Sequence, residues 1–114
     1  NFMAKELATV EVVRETQKIL QEGISLHEKK DFDGAIEAFK KATMVSPLEE
    51  GHLEELEKKL KRGGFKLEQE SIAYMGCAAV HLSGMAQELT EEQRAEVPMS
   101  EKLEEMFDEW ARNE

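Results

Sequence analysis

Apolar residues recur at helical spacing along nearly the whole chain. From about Ala4 to Lys30 they stand three or four positions apart, with no proline and with Gly23 as the one interruption. This stretch predicts either one long helix or a helix that begins near Thr9 after a short leading helix. Alternation of apolar and polar residues with the period of a strand is scarce, so the sequence predicts an all-α fold.

Turn residues predict where the second and third helices begin and end. Asp33 lies in the turn after the first helix and is placed to cap a helix from Ala35 to Val45. Ser46 and Pro47 predict the start of a third helix, because serine caps helices and proline suits the first helical position. The Gly63-Gly64 pair then ends that helix.

The C-terminal half predicts a long apolar helix and a shorter amphipathic one. Phe65 to Leu89 predicts a fourth helix whose centre is apolar and small on nearly every side, which is typical of a helix buried on several faces. Thr90 begins a capping box, and Pro98 closes the short segment that follows. A last helix, from Glu101 to about Asn113, carries four large apolar residues on one face: Leu103, Met106, Phe107 and Trp110.

One window of 34 residues, 16–49, has small and aromatic residues where two antiparallel helices would cross. These residues are Gly23, Ala35, Phe39, Ala42 and Pro47. The window resembles one tetratricopeptide repeat, a family of protein-binding helical hairpins. The resemblance implies antiparallel hairpins in a fragment of a right-handed α-α superhelix. Two positions depart from the family's pattern: Ile19 replaces the usual aromatic residue of the first helix, and Glu22 replaces the usual leucine before the glycine.

We therefore expect residues 1–114 to form a single helical domain in three parts. These parts are the hairpin at 16–49, a degenerate second hairpin at 50–89, and C-terminal capping helices at 90–114. Because a single repeat cannot bury its own apolar faces, the later residues or a second chain must cover them. A rival interpretation is a three-helix bundle of the MIT kind, whose second helix also opens with an acidic turn.

The resemblance also implies where a partner would bind. In this family the first helix of each hairpin lines a concave groove, which here would present Gln17, Leu20, Ile24 and His27. Co-chaperone members bind a C-terminal carboxylate there with lysine and asparagine. Leu20 and Ile24 favour instead an apolar helix or an extended apolar segment of a partner protein. The alternative is that both are core residues covered by another helix.

The apolar face of the last helix has three possible fates: packing within the chain, packing against a second copy, or docking to a partner. We expect self-association, with a dimer favoured. The leading hypothesis for function is a protein–protein interaction module. The alternative is a structural or regulatory self-association domain with no separate ligand site.

Charge and composition narrow the class of partner. The net charge is −10, of which residues 65–114 carry −8, so we expect no nucleic-acid partner. No apolar run approaches the ~20 residues of a membrane span, so we expect no membrane partner. The single cysteine, Cys77, and the lack of a signal-peptide pattern predict a cytoplasmic protein.

Candidate chemistry is sparse. Cys77, His81 and Met85 stand at i, i+4 and i+8 on the fourth helix, and all three are ligands for soft metals. The first and last are ~12 Å apart along the helix axis, so the three cannot surround one ion. A metal-binding helical protein is a third hypothesis. No catalytic set of serine, histidine and aspartate is apparent, and we expect no enzyme activity, no metal and no cofactor.

Overall fold

The computed structural model describes residues 9–45 and 50–98, and beyond them residues 103, 105, 106, 108, 109 and 112; of residues 50–52 it describes the backbone alone. Five helices lie within the two long ranges: α1 (Val10–Glu28), α2 (Phe32–Met44), α3 (Glu50–Gly63), α4 (Leu67–Gln87) and α5 (Glu91–Glu96). The six residues described after 98 are also helical. No strand occurs among the described residues, and the predicted all-α fold is confirmed.

The first helix begins where the sequence offered a start near Thr9. The Thr9 hydroxyl accepts a hydrogen bond from the Val12 amide at 3.2 Å, which satisfies one of the free N–H groups of the first turn. Residues 1–8, which a longer helix would include, lie outside the described residues.

The α1–α2 connection is tighter than the sequence predicted. Lys30 adopts a left-handed conformation with φ of 69°, and the Asp31 amide donates to the Leu26 carbonyl at 2.9 Å. This is a Schellman ending with lysine where glycine is usual. The predicted cap at Asp33 and the start at Ala35 are wrong. The Asp31 carboxylate accepts the Gly34 N–H at 3.1 Å, so the helix begins with Phe32.

The later helix ends follow their capping residues. The glycine pair ends α3 as predicted: Gly63 is its last residue, and Gly64 has φ of 62°. Thr90 and Gln93 form the predicted capping box, with side-chain to backbone distances of 2.9 and 3.1 Å. The predicted cap at Ser46 and helix start at Pro47 lie outside the described residues.

Three helices, α1, α2 and α4, pack on one another and form the core, whereas α3 contacts α2 and α4 over a shorter stretch. Phe39 is fully buried at the α1–α2 crossing. A Cβ added to Gly23 would lie 2.5 Å from Cε1 of Phe39, so the predicted close approach of the hairpin helices at Gly23 is confirmed. The assembly of this hairpin and residues 50–89 into a superhelix stays a prediction.

Candidate functional site

The groove predicted on α1 is filled in this structure. Leu20 and Ile24, its two apolar positions, are 0% and 1% exposed and belong to the core cluster. Gln17 and His27, at the two ends of the same helix face, are half-buried. The surface expected for a partner is therefore closed, and the alternative that both apolar residues are core residues describes this structure.

Residues of the C-terminal half cover the two ends of this face. His27 Nδ1 lies 2.7 Å from the Ser71 hydroxyl on α4, and the Gln17 side-chain amide donates to the Pro98 carbonyl at 3.1 Å. Arg14, one turn before Gln17, donates to the carbonyl of Glu96 at 3.3 Å. The C-terminal end of α1 thus meets the start of α4, and the two helices run antiparallel.

The His27–Ser71 contact has the two side chains of a nucleophilic dyad but not its accessibility. Ser71 is fully buried in the core, where no substrate atom reaches its hydroxyl. The His27 ring also packs edge-on against Phe32, with ring centroids 5.0 Å apart. The pair therefore joins α1 to α4.

The apolar face predicted on the last helix is described at two of its four positions. Leu103 is fully buried, and Met106 is half-buried against the same core. At these positions the helix packs within its own chain, which is one of the three fates predicted for it. Phe107 and Trp110 lie outside the described residues.

The three candidate soft ligands follow one side of α4 into the core. Cys77 is half-buried, whereas His81 and Met85 are buried. Among the described residues no three histidine, cysteine, aspartate or glutamate side chains form a group that could hold a metal ion.

A mixed cluster joins three helices at the surface. The Lys40 ammonium of α2 lies 3.9 Å from the Glu57 carboxylate of α3 and 5.2 Å from the ring centre of Tyr74 on α4. Burial raises the pKa of Tyr74 to about 12, and the neighbouring charges of Glu57, Glu70 and Cys77 add to the increase. Through these two contacts the Lys40 ammonium joins α2 to both α3 and α4.

One candidate surface, on α4, was not among the sites predicted from the sequence. No Asp, Glu, Lys or Arg occurs from Ser71 to Gln87. This helix is buried on several sides, as expected, but one side is partly exposed, and we call it the α4 face: Ala73, Cys77, Val80 and Gly84. These positions, at i, i+4, i+7 and i+11, share one side of the helix. Val80 is 59% exposed, Gly84 is exposed, and the other two are half-buried.

A signal for this face was present in the sequence. A solvent-facing helix side ordinarily carries charged residues, as α1 does with Glu11, Glu15 and Lys18. The uncharged run on α4 predicts a helix that is buried on several sides. Only the packing of the other helices shows which side of α4 stays exposed.

Comparison of the chain with protein-family models, curated protein sequences and solved structures finds no match. Within the described ranges no helix combines the length and the apolar character needed to cross a bilayer.

Proposed function

We propose that this chain is a small helical protein-interaction module that binds an apolar helix of a partner protein through the α4 face. The observation that carries the proposal is the uncharged run from Ser71 to Gln87, on one side of which Val80 and Gly84 are exposed. Covering apolar surface stabilises a complex by roughly 25 cal/mol per Å². A partner helix is the natural cover for such a face.

The side chains of the α4 face favour a helix as the ligand. Alanine, cysteine, valine and glycine are small, so the backbone of a second helix can approach α4 closely. Charged residues lie only at the two ends of this run, with Glu70 before it and Glu88 after it. A partner helix with an apolar stripe fits this pattern, and basic residues at the ends of that stripe would complement the two glutamates.

The resemblance to a tetratricopeptide repeat supports a binding role but points to a different surface. In the repeat the ligand would lie on the α1 face of Leu20 and Ile24, which residues 71–98 cover here. The proposed ligand therefore binds on the outer side of the helix that fills this groove. A cytoplasmic location stays a prediction.

A second candidate function, self-association, rests on the same face. A surface of small apolar residues is complementary to a copy of itself, and two α4 helices related by a twofold axis would each cover the other. Cys77 lies near the middle of the α4 face and would approach its counterpart in that dimer. This arrangement corresponds to the structural or regulatory alternative, without a separate ligand.

Site-specific photocrosslinking in the native host distinguishes these functions. We expect the variant Val80→p-benzoylphenylalanine to form covalent adducts on irradiation. The matched control places the same photoreactive group at Met44, which is 70% exposed beside Glu37 and Lys41 on α2. An adduct with a different protein supports the interaction module, and an adduct with a second copy supports self-association. The same adducts at both positions, or none at position 80, would overturn the proposal.

A charge introduced on the α4 face gives an independent test of self-association. If two α4 faces pack together, Val80→Glu should convert a dimer into a monomer in light scattering, whereas Met44→Glu should leave the dimer intact. Circular dichroism of both variants checks that the helices persist. A monomeric mass for the unmodified chain at high concentration excludes self-association.

A further inference from the structure

The turn between α3 and α4 concentrates positive charge in an otherwise acidic chain. Residues 58–66 hold five of the 15 lysine and arginine residues and no acidic residue: Lys58, Lys59, Lys61, Arg62 and Lys66. All five are exposed. None of them forms an ion pair with an acidic side chain in the part of the chain that the structure describes. Together with Phe65 and Leu67 we call this segment, residues 58–67, the basic turn.

Two large apolar side chains stand among these cations. Phe65 is 49% exposed and Leu67 is 41% exposed, with Lys66 between them. The Phe65 ring lies against the backbone of Gly63, where an added Cβ would overlap it. Every residue from 61 to 69 is exposed, so the turn is open to solvent.

We infer that the basic turn binds the surface of a membrane that contains anionic lipids. Phe65 and Leu67 would enter the boundary between headgroups and acyl chains, and the five cations would contact the anionic headgroups. Membrane surfaces accept apolar and cationic groups at the same place, and stable attachment usually requires both. The inference departs from the expectation of no membrane partner, which rested on the lack of a spanning segment.

Charge screening allows this contact despite the net charge of −10. At physiological ionic strength charges more than about 8 Å from the membrane are largely screened, so acidic residues far from the turn oppose binding little. Glu57 and Glu68 flank the basic turn and offset part of its charge, and the five cations between them stay in excess.

Two other classes of polyanion fit the basic turn less well. A turn in which every residue from 61 to 69 is exposed offers no buried wall to hold an acidic peptide. Proteins bind single-stranded nucleic acid by stacking its bases on several aromatic side chains. The basic turn has one aromatic residue, Phe65, and its second apolar residue, Leu67, cannot stack on a base in this way.

Vesicle sedimentation tests the inference with the full chain. We expect binding to vesicles of phosphatidylcholine with phosphatidylserine, little binding to phosphatidylcholine alone, and weaker binding as salt is raised. Because each cation near such a surface contributes about a fivefold factor, Lys61→Gln with Arg62→Gln should weaken binding ~25-fold. The control Lys18→Gln with Lys41→Gln removes the same charge from α1 and α2 and should change binding less than about twofold.

Phe65→Ser with Leu67→Ser tests the apolar part and should weaken binding on the order of tenfold. Circular dichroism of each variant confirms that the helices persist. Equal binding to both kinds of vesicle, or equal losses in the Lys61/Arg62 and Lys18/Lys41 variants, would overturn the inference. Tighter binding to a single-stranded RNA or to polyglutamate than to the anionic vesicles would also overturn it.

Discussion

An alanine at Gly23 should distort the core at the crossing of α1 and α2. Its Cβ would lie 2.5 Å from Cε1 and 2.7 Å from Cδ1 of Phe39, whereas carbon atoms in good contact are about 3.5–4.0 Å apart. The ring is fully buried, so it must move by about 1 Å against packed neighbours. Such overpacking costs about 1–3 kcal/mol of folding free energy.

The same substitution at Gly84 provides the matched comparison. Both glycines lie within helices, where alanine is favoured over glycine by about 1 kcal/mol. At Gly84 the added Cβ meets no atom within 4 Å, so Gly84→Ala should stabilise the fold by about 1 kcal/mol. Gly23→Ala gains the same helical preference but also overpacks Phe39. It should be less stable than Gly84→Ala by about 1–3 kcal/mol.

Urea unfolding monitored by circular dichroism measures both changes at one protein concentration. A double-mutant cycle with Phe39→Leu then identifies the cause, because a smaller side chain relieves the clash. The cost of Gly23→Ala should fall by at least about 1 kcal/mol in that background. Equal stabilisation by the two alanines, or a cycle with no coupling, would refute the close contact.

Two further predictions concern a turn and a buried phenol. Lys30→Gly should stabilise the fold by about 0.5–1 kcal/mol in urea unfolding, because glycine adopts the left-handed conformation of Lys30 without strain. Lys29→Gly, at φ of −84°, should have the opposite effect, and equal effects would contradict this explanation. The pKa of Tyr74, the only tyrosine, should be about 12 by absorbance at 295 nm and should fall in Glu57→Gln. Since the fold favours the neutral phenol, the contribution of Tyr74 to the free energy of unfolding is complete below pH 10 and is lost between about pH 10 and 12. A titration midpoint of Tyr74 near pH 10 would contradict the burial of its phenol.

The helix ends illustrate what local sequence determines. Thr90 with Gln93 forms the predicted box, and the Gly63-Gly64 pair ends α3 as predicted, because each depends on residues within one turn of the chain. The start of α2 was missed because Asp31 and Asp33 are both able to cap a helix. The sequence alone does not show which carboxylate meets the free amides.

The covering of the α1 face could not be predicted in the same way. Leu20 and Ile24 are apolar, and any apolar helix could bury their side chains, whether it came from residues 50–114 or from a second chain. The choice of α4 depends on contacts between residues far apart in the chain. For the same reason the uncharged run of α4 predicted burial but not the side on which Val80 stays exposed.

The hydrogen bonds that cover α1 also have a consequence for the order of folding. The hairpin of α1 and α2 closes a short loop and can form early, because its contacts are local. The His27–Ser71 and Gln17–Pro98 contacts join residues 44 and 81 positions apart, so they form only after much longer loops have closed. The side of α1 that meets residues 71–98 in the native protein therefore lacks these contacts during synthesis, when residues 1–49 have emerged from the ribosome and α4 has not.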